Sequence, residues 1–230
     1  MTGALTSEAI VRAWEAGARR SPLDRAMAVL WAAEDGDAAD LPLAERDRRL
    51  LAVREATFGS HLTSVARCPD CGELVEVTLA AGELARLLVS PGVDEVEVGG
   101  RAVSVRPLTS RDLAAAAGAL EAEVPGILRA RLTGAVELPP EEAGRIDALI
   151  EEREAAGELT CGLACVECGT EWSEHLDVAA HVWAEVDAAG RRLLREVAEV
   201  AAAFGWSEAA IMAMSETRRA AYLDIARGDA

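Results

Sequence analysis

The 230-residue chain contains no lysine, asparagine or glutamine, so all 23 of its basic residues are arginine. A GC-rich coding bias accounts for that pattern, and it carries no functional meaning. Basic charge is scarce as well: 40 acids against 23 bases leave a net charge of −17. A nucleic-acid binder needs a basic face to displace counterions. No basic stripe runs along this sequence, which disfavours such a role. No apolar run approaches the roughly 18 residues of a membrane span. No basic start precedes an apolar stretch at the N-terminus, so no signal peptide is expected. The expectation is a folded, cytosolic protein without membrane insertion.

Catalytic signatures are missing too. The three histidines, His61, His175 and His181, stand in no metalloenzyme spacing. There is no Walker loop, no G-x-G-x-x-G after a strand and no G-x-S-x-G elbow. Acidic pairs such as Glu141-Glu142 and Glu151-Glu152 lie on charged helical stretches and read as solvated faces. The reading is therefore non-enzymatic, with no small-molecule substrate evident.

What is present is apolar content: 51% of the residues, interspersed with charge, enough for a real core in a chain of this length. The first third reads as helical. Ser21-Pro22-Leu23-Asp24 combines a capping hydroxyl, a proline suited to the first turn and an acid at the positive end. Gly36 and Asp37 end that run. A further helix is expected over Leu43 to Thr57, with Gly59 placed for a left-handed C-terminal cap. Leu74 to Leu79 alternates as a strand. Glu95 to Val105 reads as a hairpin turning at Gly99-Gly100. Thr109-Ser110-Arg111-Asp112 has the look of a capping box. Pro125, Gly134 and Pro139-Pro140 punctuate the stretch after it, and 141–156 is a charged helix. Asp177 caps a long helix from about Val178 to Ala203, Phe204-Gly205-Trp206-Ser207 breaks it, and short helices start at Ser207 and Ser215. Trp14, Trp31, Trp183 and Trp206 are read by default as core packing. Trp183 and Trp206 are also candidate interface anchors.

The five cysteines carry the chemistry. Cys68-Pro69-Asp70-Cys71-Gly72 and Cys165-Val166-Glu167-Cys168-Gly169 look like copies of one unit. Two residues between thiolates let one tight turn present both sulfurs to a common ion. The glycine after the second cysteine permits positive φ where backbone amides approach sulfur. Two such turns supply four thiolates, a closed tetrahedral shell with no open position for substrate. Cys68, Cys71, Cys165 and Cys168 are thus the expected ligands of one structural zinc. Iron would suit four thiolates as well. Binding would contribute on the order of 10 kcal/mol to local folding. The competing readings are a redox dithiol in each turn, or thiols that are merely buried. Cys161, which matches Ser64 in the first copy, reads as an inward-facing strand residue, with an alternate ligand role left open.

The plan is α+β and mostly helical, with a small split zinc-ribbon β element and a helical C-terminal region. An N-terminal helical region covers 1–63, the split four-cysteine ribbon takes 64–80 plus 159–177, an inserted hairpin and helices fill 81–158, and C-terminal helices occupy 178–230.

Three stretches carry a resemblance. The first runs from Glu45-Arg46-Asp47-Arg48-Arg49-Leu50-Leu51 through Arg54-Glu55-Ala56-Thr57-Phe58-Gly59 into the first cysteine turn. The second is Val105-Arg106-Pro107-Leu108-Thr109-Ser110-Arg111-Asp112-Leu113. The third joins Trp183-Ala184-Glu185-Val186-Asp187 and Arg191-Arg192-Leu193-Leu194-Arg195-Glu196-Val197 to Trp206-Ser207-Glu208 and Arg218-Arg219-Ala220-Ala221-Tyr222-Leu223. Together they resemble baseplate hub-type proteins of contractile-tailed phages and the related injection systems. The resemblance covers most of residues 20 to 226 but is weak over 114–158. It implies a structural or assembly role in the baseplate or hub of a contractile tail. The partners would be other baseplate or tail proteins, and the location would be the cytoplasm or a phage-tail-like particle. The competing class is a free-standing zinc-ribbon adaptor or regulatory protein that binds another protein.

Overall fold

A computed structural model describes residues 3–33, 36–134 and 136–228. In chain order the elements are α1 (Ser7–Gly17), α2 (Pro22–Ala32), α3 (Leu43–Phe58), β1 (His61–Arg67), β2 (Leu74–Ala80), α4 (Ala81–Leu87), β3 (Asp94–Val98), β4 (Arg101–Val105), α5 (Ser110–Ala116), α6 (Val124–Leu132), α7 (Pro140–Ala156), β5 (Thr160–Ala164), β6 (Glu171–His175), α8 (Val178–Phe204), α9 (Glu208–Met212) and α10 (Glu216–Arg227), with single 3-10 turns at Ala38–Asp40 and Glu121–Glu123. Among the described residues the chain is mostly helical, with three small antiparallel two-stranded sheets. No helix among the described residues is long and apolar enough to cross a membrane.

The main core lies where α1, α2, α3 and α8 meet. Val29, Leu30, Leu50, Leu51, Val53, Val182 and Val186 are almost wholly removed from water there. Their spacing places each set on one face of its helix. Ser21 and Asp177 cap α2 and α8 by accepting from the N–H groups of Asp24 and Ala180. A second cluster gathers Val98, Val103, Val105, Leu108, Leu132, Ile146 and Ile150 from the β3–β4 hairpin, α6 and α7. Its anchor is Asp112, fully buried. Asp112 accepts both guanidinium hydrogen bonds of Arg106 (2.6 and 2.7 Å), one from Arg131 (2.7 Å), and the N–H and hydroxyl of Thr109. A third, small cluster joins Val197 and Val200 of α8 to Ile211 and Leu223.

Several expectations change. Gly59 has φ 98° but ψ 177°, outside the left-handed helical region, although its N–H still closes α3 on the Glu55 carbonyl. The left-handed caps are Gly205 and Gly228. Pro125 does not interrupt structure; it sits in the first turn of α6, where its missing N–H costs no hydrogen bond. Trp31 is 57% exposed rather than core, while Trp183 is buried in the main core and presents no anchor to a partner. Trp206 lies in the break after α8, half-buried between Phe204 and Tyr222 with ring centroids at 4.8 and 4.7 Å. Strands β1–β2 and β5–β6 pair only within their own hairpins, so the two cysteine turns do not share a sheet.

Candidate metal centre

Both cysteine hairpins are rooted on the main core. At the base of β1, Arg54 is 3% exposed and forms a two-pronged ion pair with Glu185 of α8 (2.7 and 2.8 Å). It also donates to the carbonyls of Gly59 and His61. At the base of the second hairpin, the Leu176 N–H bonds the Leu159 carbonyl, and the chain then passes directly into α8 through its cap Asp177. Both hairpins therefore leave the same region of the core, and their tips meet.

The two tips repeat one backbone geometry. In the first, Cys68 N–H donates to the Glu73 carbonyl (2.8 Å) and Gly72 N–H to the Cys68 carbonyl (3.0 Å). In the second, Cys165 N–H donates to Thr170 and Gly169 N–H to Cys165, both at 2.9 Å. Gly72 and Gly169 both adopt φ 77°. That value lies in the region where a Cβ is strained, so the glycine at this position has a steric reason. In each turn the first cysteine is buried and the second exposed.

The sulfurs of Cys68, Cys71, Cys165 and Cys168 all lie within 4.8 Å of one another. Cys68 Sγ is 3.6 Å from Cys168 Sγ, and Cys71 Sγ is 3.5 Å from Cys165 Sγ. These separations are far beyond a disulfide bond of about 2.05 Å. They approach the edge, about 3.8 Å, of a tetrahedron whose metal–sulfur bonds are about 2.3 Å. The donor set fits a single ion. A backbone hydrogen bond at Glu73 favours the Cys71 thiolate, but the crowding sulfurs of Cys168, Cys165 and Cys68 outweigh it and push the thiol up to about 12. The hydroxyl and backbone of Thr170 hold Cys168 down to about 6. Like charges packed this closely resist full ionisation, and a central cation removes that resistance. Thr170 also lies where the two tips meet, its hydroxyl 3.3 Å from Asp70 Oδ2.

Cys161 stands apart from the four-sulfur cluster. It is half-buried and lines a small cavity of about 40 Å³ between the hairpins, with Ser64, Ala66, Val77, Leu79, Leu163 and Glu174 among its walls. Ser64 and Cys161, equivalent in the two copies, thus face one another's hairpin across the same space. His175 is an exposed residue of β6, 4.0 Å from Glu158. A larger cleft of about 250 Å³ lies between the N-terminal end of α3, the C-terminal end of α7 and the base of β6, and no sequence motif marks it. Burial pushes the carboxyls of Asp47 and Glu154 up within it, against the nearby guanidiniums of Arg46 and Arg153 respectively. Nothing in their sequence neighbourhood distinguishes these two acids from the many on solvated helix faces.

Compared with known proteins, the chain matches no family model, no curated protein and no solved structure.

Proposed function

We propose that the four thiolates hold one structural zinc ion, and that the chain is a non-enzymatic structural or assembly component of a contractile-tail or injection-system baseplate. The observation that carries the first part is the four-sulfur cluster itself, a complete donor set contributed equally by two turns about a hundred residues apart. A closed thiolate shell leaves no position for substrate or activated water, so the ion joins parts of the fold. The span between the turns is tolerable because loop-closure cost grows only logarithmically with length.

The tail role rests on the three sequence stretches that resemble baseplate hub-type proteins. What supports it is where three of their arginines lie. Arg54 pairs with Glu185, Arg106 with Asp112, and Arg219 with Glu196 at 2.8 Å. Arg54–Glu185 and Arg219–Glu196 tie separate helices together, Arg106–Asp112 closes the short loop into α5, and none of the three pairs lines the cleft beside α3. These three arginines hold a shape, as suits an assembly component, while Arg46 and Asp47 of the first stretch line the cleft beside α3. The partner surface is assigned to the C-terminal helices between Val178 and Ile225, where Ile225 is 53% exposed.

Elemental analysis of the purified protein beside Cys68→Ser and Cys165→Ser tests the metal. One zinc per chain, lost in both variants, is expected; iron, no metal, or metal surviving either change refutes that part. Co-purification with sheath, tube and spike proteins tests the tail role. Capture of an unrelated protein in their place would favour the adaptor reading. Deleting 204–230 would bare Val197 and Val200, which Ile211 and Leu223 cover. Ile225→Asp is therefore the cleaner variant, and it should abolish co-purification while leaving the fold intact.

A further inference from the structure

Each cysteine turn has one buried and one exposed sulfur: Cys68 and Cys165 are 2% and 3% exposed, while Cys71 and Cys168 are open to solvent. Each exposed sulfur has, at near contact, a buried sulfur of the other turn. Cys71 lies 3.5 Å from Cys165 and Cys168 lies 3.6 Å from Cys68, across sequence separations of 94 and 100 residues. Cysteine oxidation follows thiolate character and exposure, and metal ligation keeps all four sulfurs as thiolates. Two sulfurs are thus open to a small oxidant, and each has a resolving partner on the opposite hairpin.

We propose that a hydroperoxide converts the metal centre into two disulfides that cross between the hairpins, Cys71–Cys165 and Cys68–Cys168, with release of the ion. The inference rests on the four thiolates holding a metal. Peroxide attacks the exposed Cys71 thiolate; a sulfur–oxygen bond forms, the oxygen–oxygen bond breaks and hydroxide leaves, giving a sulfenic acid. The Cys165 thiolate attacks that sulfur; the disulfide forms, the sulfur–oxygen bond breaks and a second hydroxide departs. The two sulfurs lose two electrons, the peroxide gains them, and two protons from solvent turn the hydroxides to water. Cys168 and Cys68 repeat the sequence with a second peroxide, and the divalent ion, left without thiolates, passes to solvent. Each sulfur pair must close by about 1.5 Å to reach bonding distance. The hairpin tips stay joined in both states, first by the ion and then covalently. Disulfides within each turn would instead leave no covalent or metal link between the tips once the ion has gone.

The test titrates the full-length, metal-loaded protein with hydrogen peroxide beside a chromogenic zinc chelator, then maps disulfides after alkylation. Asp70 and Glu167 lie between the two cysteines of their turns, so cleavage at these acids separates all four ligands. Metal release should be complete at about two peroxides per chain, with peptides linked 71–165 and 68–168, and Cys161→Ala should change neither result. Disulfides within the turns, a bridge to Cys161, or sulfinic acid without disulfide would overturn the proposal. Protein that purifies without zinc refutes the metal assignment alone. Its mapped disulfides still decide the pairing, crossed links supporting it and within-turn links refuting it.

Discussion

The indole of Trp14 occupies the space where a side chain on Gly190 would be: a Cβ at Gly190 would lie 2.8 Å from Trp14 Cγ. The relationship is reciprocal. A Cβ at Gly17 would lie 2.5 Å from the ring of Trp183. Helices α1 and α8 therefore approach through two glycines, each accepting the other helix's tryptophan. Trp14 Nε1 donates to Asp187 at 2.8 Å, and Arg191, paired with the same carboxylate, lies over the indole.

Gly190→Ala should destabilise the protein by about 1–3 kcal/mol, because overpacking a well-filled contact outweighs the better helix propensity of alanine. Gly144 lies inside α7 with open space around it. Gly144→Ala should be stabilising by about 0.5–1 kcal/mol. Urea unfolding of the two variants reads opposite signs; a stabilising Gly190→Ala would refute the interlock.

Removing Arg54 takes the guanidinium from Glu185, leaving only His181 at 4.0 Å among the described residues, and deprives two carbonyls at the base of β1 of a donor. Arg54→Ala should cost about 3 kcal/mol. Hydrogen exchange should show lost protection over His61–Arg67. Loss of the same stability without a change in that strand would detach Arg54 from hairpin positioning.

Two carboxylates should give opposite pH dependence. Burial by itself would raise the Asp112 carboxyl, but hydrogen bonds from Arg106, Thr109 and Arg131 hold it well below the usual carboxylate range. Its stabilisation is present above about pH 4, the unfolded value, and is lost as pH falls toward the folded one. Asp112→Asn should therefore lower stability at neutral pH and flatten the acid limb. Glu154 is raised by burial. The folded carboxyl holds its proton more tightly, so its contribution falls as pH rises above about 4.3. Glu154→Gln should be more stable than the parent at neutral pH, with the difference vanishing in acid. Denaturation midpoints measured across pH 3 to 8 separate the two, and parallel curves would contradict both assignments.

Metal removal should act locally. The main core, built on Val29, Leu50, Val53, Val182 and Val186, contains no cysteine ligand. Stripping the ion with a chelator should leave the helical circular dichroism largely intact while hydrogen-exchange protection falls over 61–80 and 160–175. Global unfolding on chelation would show that the centre supports the whole fold.

The element boundaries are largely legible in the sequence because their causes are local. Ser21, Asp177, Ser207 and Ser215 each accept an N–H in the first turn of the helix they start. Gly99 and Gly100 turn their hairpin with φ of 57° and 77°. Gly59 and Pro125 mislead for the converse reason: a residue type permits several backbone states, and its neighbours choose among them. The tryptophans are legible only in part: Trp14, Trp183 and Trp206 pack on core clusters as expected, and Trp31 does not. Trp31 and Trp183 are equally apolar in sequence, yet one is exposed and the other is buried against α1.

The four clustered cysteines can be named from the repeated turn, since spacing and a glycine after the second cysteine are properties of a few adjacent residues. That the two turns meet is a different matter. It depends on Arg54 reaching Glu185, 131 residues further along the chain, which fixes the first hairpin beside the helix that β6 runs straight into. Sequence by itself determined which side chains are able to bind and where helices begin, because backbone preference and capping act over one turn. Only the tertiary structure decided which sulfurs face each other, which are exposed and which tryptophan finds a glycine. Those outcomes depend on burial and close approach between distant elements, and no local pattern encodes either.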